Sequence, residues 1–330
     1  MGHNLISKMK KCFRFAVIIV FTIWARAEIN YGTAQQQSSI KAWSPLPGVR
    51  LDSNLVTVPV TVSTYGRGFV KGLRSNHFEV YDEKVQQQIA FFSNDEQPAS
   101  VGIMLDFSGS MAEEKIVEAR RAIREFIEWS NPEDEFFLIG FNDRVHLLRD
   151  FTSSADDIAS SVVFTEASGK TAVFDAVYMG IEKVKQGRHQ RRALVLFSDG
   201  QDNASRYSQR ALKQLVQESD VLIYCIGIFG AWESPMNLSY GWYLLDQMSK
   251  LTGGRAFAIT ADQPGLIVSQ GPTLTTICQQ VATELRCQYT LGFYPTDREE
   301  KEKWRRLKVR LKPIKGLGPL MVHFRQGYSR

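Results

Sequence analysis

The hydrophobic pattern along the chain changes its period twice, which predicts segments of different architecture. From Leu55 to Thr64, valines at every second position alternate with polar residues, as on a half-buried β-strand. The stretch from His77 to Ser93 predicts two more short strands around a polar bend. Three strands without an intervening helix indicate a small antiparallel β unit at this end of the chain.

From residue 100 onward, apolar runs alternate with segments that have apolar residues at helical spacing. The run SVGIMLDF is typical of a parallel strand buried on both faces. The following segment, EEKIVEARRAIREFIEWS, has the 3.6-residue period of an amphipathic helix. Similar pairs continue to about residue 285, so the sequence predicts a doubly wound, Rossmann-like α/β domain with a mostly parallel sheet and helices on both faces.

After residue 285 the β pattern returns in three stretches, one of which alternates Leu307, Val309 and Leu311 with basic residues. Three strands on either side of the α/β segment are too few to bury a face separately, so we expect them to combine into one sandwich-like domain. The predicted organisation is a signal peptide at 1–27, a flexible leader at 28–48, a discontinuous β domain at 49–97 plus 286–330, and an inserted α/β domain at 98–285.

The N-terminal segment has the composition of an export signal. Lys8, Lys10, Lys11 and Arg14 precede an apolar run of ten residues, and an Ala-Arg-Ala sequence ends at Ala27. This run is shorter than the ~20 residues that a membrane-spanning helix needs. We therefore expect cleavage after about Ala27, export to the periplasm or the cell exterior, and a mature chain that is not an integral membrane protein. An uncleaved anchor is the alternative.

The charge and cysteine content narrow the classes of partner and fold. The formal net charge of +5 comes from the signal segment, so the remainder is formally neutral and gives no electrostatic support for nucleic-acid binding. Three cysteines follow that segment, and an odd number argues against a dense disulfide framework. Cys225, Cys278 and Cys287 are expected to be buried free thiols.

The sequence Gly169-Lys170-Thr171 resembles the end of a nucleotide-binding P-loop. A P-loop also needs glycine five positions before its Gly-Lys-Thr, so that backbone amides can surround the phosphate. Phe164 occupies that position here, and the preceding segment has the pattern of a short capped helix instead of a strand. The sequence therefore argues against a nucleotide ligand, and Thr171 needs another explanation.

Oxygen-bearing side chains follow several of the predicted parallel strands. The carboxyl ends of such strands line the ligand crevice of an open α/β sheet, so three loops are expected to meet there. Oxygen ligands without His or Cys favour Mg²⁺, with Ca²⁺ and Mn²⁺ as alternatives, and such a site can leave one position for a carboxylate of a partner. The candidate metal ligands are Asp106, Ser108, Ser110, Thr171 and Asp199.

Three motifs resemble the loops of the metal-ion-dependent adhesion site of von Willebrand factor A domains. They are VGIMLDFSGSM, SGKTAVFDAV and LVLFSDGQDNAS, in the family's order and within residues 98–285. The flanking stretches HFEVYDEKVQQQIAFFS and LRCQYTLGFYP resemble exported bacterial proteins related to that family. The resemblance implies a Rossmann-like domain in which Ser108, Ser110 and Thr171 ligate a divalent cation directly, while the two aspartates act largely through water.

Several positions near the motifs need separate interpretation. Lys170 stands where the family usually has glycine, and Ser198 where it often has threonine. Lys170 would either weaken metal binding or add a contact to an acidic ligand. Asp175 lies one helical turn after the second loop and is expected to orient that loop or to cap its helix. Asp202 and Asn203 are expected to cap the next helix.

Three functions are compatible with these features. The first is an exported adhesion module that captures an acidic group of a protein or matrix partner through the cation. The second is a Mg²⁺-dependent hydrolase or phosphoryl-transfer enzyme, although His146 and His189 lie outside the three loops and the chain has no G-x-S-x-G sequence. The third is a structural subunit of an envelope assembly. The first uses all candidate ligands and needs no catalytic base, so the sequence favours a non-enzymatic binding module.

Overall fold

The computed structural model describes residues 55–65, 68–111, 113–162, 166–230, 234–261, 272–296 and 304–329. The predicted signal peptide, the leader and Phe164 lie outside these ranges. The strands are β1 (Val56–Thr64), β2 (Phe78–Asp82), β3 (Val85–Gln87), β4 (Ile89–Ser93), β5 (Ala99–Asp106), β6 (Glu135–Phe141), β7 (Val145–Thr152), β8 (Arg191–Ser198), β9 (Leu222–Gly230), β10 (Ala256–Ala261), β11 (Tyr289–Phe293), β12 (Trp304–Leu311), β13 (Leu320–Phe324) and β14 (Gly327–Ser329). The helices are α1 (Glu113–Trp129), α2 (Ala155–Ser160), α3 (Val173–Val184), α4 (Gln209–Glu218), α5 (Pro235–Thr252) and α6 (Leu274–Arg286).

The α/β domain is built on a six-stranded sheet with the order β10-β9-β8-β5-β6-β7. All neighbours in this sheet are parallel except β6 and β7. The predicted doubly wound α/β fold is therefore confirmed. The sequence analysis did not identify β7, because this edge strand carries no buried residue and so lacks the continuous apolar run of its neighbours.

Helices cover both faces of this sheet and form a separate apolar core on each. Along β5, Ile103 and Leu105 pack on one face with α1 and α6. Met104 points to the other face and packs with α3, α4 and α5. Every residue of β5 is buried, as expected for a strand with helices on both sides.

Eight further strands form two four-stranded sheets, with the orders β13-β1-β11-β4 and β14-β12-β2-β3. Each sheet combines strands that precede the α/β domain with strands that follow it. The two sheets share one apolar core that includes Val60, Phe78, Tyr289 and Val309. We call this pair of sheets the sandwich.

The expectation of three strands on each side of the α/β domain was wrong, because four lie on each side. The stretch His77–Ser93 contains β2, β3 and β4, of which β3 pairs with β2 while β4 pairs with β11 in the other sheet. At the other end of the chain, the short β14 pairs with β12. Strands of three residues are too short to show a period, so the hydrophobic pattern did not separate them.

The α/β domain and the sandwich meet at the amino ends of the central strands. The Nη1 atom of Arg191 donates to the carbonyl oxygens of Gln97 at 3.2 Å and of Leu285 at 2.9 Å. At the end of α5, Gly253 has a φ of +89°, and a Cβ atom there would lie 2.5 Å from the backbone nitrogen of Arg325. This contact leaves room only for glycine. The junction is therefore tight, and the carboxyl ends of the strands remain on the opposite side.

The three cysteines in the described part of the chain are buried free thiols, as predicted. Burial raises the pKa of Cys225 to about 12 and also raises the pKa of Cys278. Such thiols are unreactive at neutral pH.

None of the helices in the described ranges is both long and apolar enough to cross a membrane.

Candidate metal centre

The first loop of the candidate site begins at Asp106, the last residue of β5. Its side chain is completely buried, and its Oδ1 atom accepts a hydrogen bond from the backbone N–H of Ser108 at 2.8 Å. Its Oδ2 atom accepts one from the hydroxyl of Ser198, which ends the adjacent strand β8, at 2.6 Å. Burial raises the pKa of Asp106 to about 6, against the opposing effect of these hydrogen bonds, and nearby Asp199 raises it further. The carboxylate is thus fixed and weakly solvated.

Two serine hydroxyls converge beside this carboxylate. The Oγ atoms of Ser108 and Ser110 lie 3.0 Å apart, and Ser108 is buried while Ser110 is exposed. The ammonium group of Lys115, which is nearly buried, donates to the carbonyl oxygen of Ser110 at 3.0 Å and to that of Ile228 at 3.3 Å. Lys115 therefore ties the end of the first loop to β9.

The second loop pairs with the first through the backbone. The N–H of Gly109 donates to the carbonyl oxygen of Gly169 at 3.1 Å, and the N–H of Ser168 donates to that of Phe107 at 2.8 Å. Gly169 has a φ of +80°, a left-handed conformation that favours glycine. This pairing brings Thr171, which is 3% exposed, into the same part of the molecule as the two serines.

Asn142, which follows β6, fixes the second loop from the other side. Its Nδ2 atom donates to the carbonyl oxygen of Ser168 at 3.1 Å. Its own carbonyl oxygen accepts from the N–H of Ala172 at 2.7 Å. The loop that carries Thr171 is therefore held at both of its ends.

The third loop folds back on the start of α3. The Oδ1 atom of Asn203 accepts from the N–H of Thr171 at 2.8 Å, and the Oδ1 atom of Asp202 accepts from the N–H of Phe174 at 3.3 Å. The prediction that Asp202 and Asn203 cap the next helix was therefore wrong. That helix, α4, is capped by Ser208, whose hydroxyl accepts a hydrogen bond from the backbone N–H of Ala211 at 3.2 Å. The sequence could not show this, because the loop bends toward a helix that precedes it in the chain.

Asp199 provides the observation that bears most directly on a metal ion. It is completely buried, and its Oδ1 atom accepts from the N–H of Gln201 at 3.0 Å. Its Oδ2 atom is buried and has no hydrogen-bond partner among the described residues. An uncompensated carboxylate oxygen is costly in the protein interior, and a bound cation would compensate it.

The donor set predicted from the sequence fits a hard cation. It consists of two carboxylates and three hydroxyls, which are the ligand types that Mg²⁺, Ca²⁺ and Mn²⁺ prefer. The described residues contain no group of three or more His, Cys, Asp or Glu side chains placed for a metal. A cation at this position would therefore depend on hydroxyl oxygens as well as carboxylates.

Asp175 and Lys170 occupy different surroundings. Asp175 is 9% exposed, and its carboxylate accepts from the N–H and Nε of Arg206 at 2.9 and 3.0 Å and from the N–H of Tyr207 at 3.2 Å. It therefore anchors the far end of the third loop to α3. Lys170 is exposed and immediately precedes Thr171.

Helix α5 supports the third loop through a close backbone contact. A Cβ atom on Gly241 would lie 2.1 Å from the carbonyl oxygen of Asp199, and one on Gly200 would lie 2.5 Å from the carbonyl oxygen of Gly241. Gly200 also has a φ of +77°. Glycine is therefore required on both sides of this contact.

Sequence reasoning missed several residues that position the site. Asn142 could have been found, because it is a polar residue at the end of a strand adjacent to β5, whereas Ser198 was noted without a prediction of its hydrogen bond to Asp106. Lys115 and Gly241 carry no such signal, since each acts on a loop that is distant in the sequence. Their contacts depend on how helices α1 and α5 pack on the sheet.

The comparisons with known proteins match the central part of the chain to one type of domain. Residues 101–201 match the family model of the von Willebrand factor type A domain. Inter-alpha-trypsin inhibitor heavy chain H4 of Homo sapiens is 25% identical over 218 residues, which cover 62% of this chain and 22% of that protein. The chain thus spans about a fifth of the length of the curated relatives it matches.

Two solved structures are among those to which the chain is similar. A von Willebrand factor type A protein from Catenulispora acidiphila is 13% identical, with 78% of this chain and 76% of that chain covered and a TM-score of 0.44. Proximal thread matrix protein 1 from the mussel byssus, solved with a zinc-occupied metal-ion-dependent adhesion site, is 18% identical, with 61% and 48% covered and a TM-score of 0.46.

Proposed function

Because residues 101–201 match the family model of the von Willebrand factor type A domain, we propose that this protein is an exported binding module that captures an acidic group of a protein or matrix partner through a divalent cation. The cation in this proposal is Mg²⁺, with Ca²⁺ and Mn²⁺ as alternatives. The observation that carries the proposal is the buried Oδ2 atom of Asp199, which lacks a partner among the described residues. The proposed ligands are Asp106, Ser108, Ser110, Thr171 and Asp199.

The burial of these residues supports binding of a partner at one side of the site. Asp106, Ser108, Thr171 and Asp199 are at most 3% exposed, whereas Ser110 is exposed. A cation held by these groups would supply a positive centre that accepts an oxygen ligand from outside. The partner would therefore approach on the side of Ser110.

The second loop offers a further contact for an acidic partner. Lys170 is exposed beside the buried Thr171, so its ammonium group can reach a carboxylate without occupying the cation position. In this proposal Lys170 adds to the attraction of an acidic ligand. The proposed location, the periplasm or the cell exterior, rests on the predicted signal peptide, which lies outside the described residues.

Asp199→Asn is the sharpest test of the metal site. Asparagine retains an oxygen that can accept the Gln201 N–H, but it removes the charge that a cation needs. Asp106 is less suitable for substitution by alanine, because its carboxylate accepts two buried hydrogen bonds. The matched control is Asp156→Asn, which makes the same charge change at an 81% exposed side chain on α2.

Isothermal titration of Mg²⁺ into the mature chain should show saturable binding for the wild type and for Asp156→Asn. The Asp199→Asn variant should bind at least about tenfold more weakly, with an unchanged far-UV circular dichroism spectrum. Equal binding by all three proteins, or no binding of Mg²⁺, Ca²⁺ or Mn²⁺ by the wild type, would refute the site.

The binding function needs a separate test. Beads carrying the wild type or Asp199→Asn are incubated with envelope extract in the presence of Mg²⁺ or EDTA, and the retained proteins are identified. Each retained protein is then tested for direct binding before and after its carboxylates are amidated. Metal-dependent retention that amidation abolishes supports the proposal. Turnover of phosphate or ester substrates by the wild type, lost in the variant, would instead identify an enzyme. Retention unaffected by EDTA would favour a structural subunit.

A further inference from the structure

A cavity lies between the α/β domain and the sandwich, at the end of the sheet opposite the metal centre. Its volume is about 270 Å³, and it opens at the amino ends of β8 and β9. Pro59 on β1 and Thr290 on β11 form the wall on the sandwich side. Since β8 has eight residues at ~3.3 Å each, roughly 25 Å separate this cavity from the metal centre.

The cavity is positively charged. Among its described lining residues three are arginines, Arg191, Arg192 and Arg325, and one, Asp220, is acidic. Asp220 forms an ion pair with Arg325, so it neutralises one of the three guanidinium groups. Two positive charges remain on the described walls of the cavity.

These two charges are only partly compensated. The Nη1 atom of Arg191 donates to the carbonyl oxygens of Gln97 and Leu285, which are neutral acceptors. Burial lowers the pKa of Arg191, although Tyr224, Asp134 and Glu96, which do not line the cavity, act in the opposite direction. The Nε atom of Arg192 is buried and has no hydrogen-bond partner among the described residues. A buried donor of this kind is costly unless an acceptor is supplied.

We propose that this cavity is a binding site for a small anion with carboxylate or phosphate oxygens, held by Arg192 and Arg191. Guanidinium groups match such oxyanions in charge and in their forked geometry. The amide side chains of Gln217 and Gln288 also line the cavity and can donate to further oxygens. The volume is below the ~300–1,000 Å³ of pockets for drug-sized molecules, which indicates a ligand of few atoms.

This anion site is separate from the candidate metal centre. An anion bound there would affect the contact between the α/β domain and the sandwich. An anion there would contact β8 of the α/β domain and, across the cavity, the sandwich strands β1 and β11. Its binding would therefore stabilise the junction between the two parts without involving the three metal loops.

The test uses the mature chain with inorganic phosphate and succinate as probes, by isothermal titration at fixed ionic strength. Arg192→Gln should weaken binding about tenfold or more, because it removes a charged donor. Arg306→Gln is the control, since it makes the same charge change at an exposed position on β12. Asp220→Asn should strengthen binding severalfold, because it removes the acidic wall residue, and this gain cannot result from misfolding.

The relative affinity for the two probes distinguishes a phosphate ligand from a carboxylate ligand. Saturable binding of either probe that Arg192→Gln weakens and Asp220→Asn strengthens supports the proposal. The absence of binding of both probes to the wild type at millimolar concentration would overturn it. Equal affinity of the wild type, Arg192→Gln and Asp220→Asn would overturn it as well, since the ions would then bind elsewhere on the surface.

Discussion

The contact between α5 and the third loop predicts that a single methyl group, on a helix that contributes no proposed ligand, will impair the candidate metal centre. In Gly241→Ala, the new Cβ atom would lie 2.1 Å from the carbonyl oxygen of Asp199 and 3.2 Å from its carbonyl carbon. Both are backbone atoms, so no side-chain rotation can relieve the clash. The helix and the loop must separate by more than about 1 Å to reach an ordinary contact distance.

The size of the effect follows from the metal-binding role that we propose for Asp199. Displacing residues that position a metal ligand typically lowers metal affinity by about 10–100-fold, and we expect Mg²⁺ affinity to fall within this range. The effect on global stability should be smaller. Overpacking costs about 1–3 kcal/mol, whereas alanine in a helix is favoured over glycine by roughly 0.5–1 kcal/mol.

Gly180→Ala provides the control for this experiment. Gly180 lies within α3, and a Cβ atom there would meet the Sδ atom of Met104 at 2.7 Å, a flexible side chain that can move. Isothermal titration with Mg²⁺ and urea denaturation would be measured for both variants and the wild type. Wild-type Mg²⁺ affinity in a folded Gly241→Ala variant would refute the reasoning, because the predicted displacement of Asp199 would then have no consequence.

Three further predictions concern the buried polar and thiol groups. Asp82, completely buried in the sandwich, accepts from Nε of Arg305 at 3.0 Å, so Asp82→Ala should lower the free energy of unfolding by about 3–5 kcal/mol in urea titrations; a loss below 1 kcal/mol would contradict this. Burial raises the pKa of Glu284 from 4.5 to about 7, so the folded state holds this proton more tightly and stability should fall as pH rises from about 4.5 to 7. Glu284→Gln should remove that pH dependence, so that the variant is more stable than the wild type at pH 8 but not at pH 4. Parallel profiles of stability against pH for the two proteins would contradict this role of Glu284. Cys225 and Cys278 should react with a thiol reagent only after unfolding, and labelling of either in the native protein at neutral pH would disagree with their burial.

The sequence predicted the central sheet well because each of its main strands is buried on both faces. Such strands give continuous apolar runs, as in SVGIMLDF, and their order along the chain placed Asp106 and Asp199 at the same edge of the sheet. The edge strand β7 and the three-residue strands β3 and β14 lack this signal, since solvent exposure or short length removes it. The sequence analysis therefore identified the fold class but undercounted the strands.

Within the candidate site, the sequence identified residues that share a strand end but not those that act across the fold. Asn203 was assigned to the following helix, whereas it accepts a hydrogen bond from Thr171, and Lys115 was not noticed. Both depend on the packing of loops and helices that are distant in the chain. A pattern of period two or 3.6 contains no information about such contacts.

The insertion of the α/β domain between the strands of the sandwich has a consequence for the order of folding. Val60 on β1 pairs with Tyr289 and Phe324, which are synthesised only after the whole α/β domain. The entropy lost in closing a long loop makes that pairing slow while the intervening chain is unfolded. Once the α/β domain has folded, Arg191 holds Gln97 and Leu285 together, so the two ends of the insertion already lie side by side. The strands β1–β4 therefore remain with their apolar faces exposed until their partner strands from the end of the chain have been synthesised. During this period the nascent protein is most prone to aggregate.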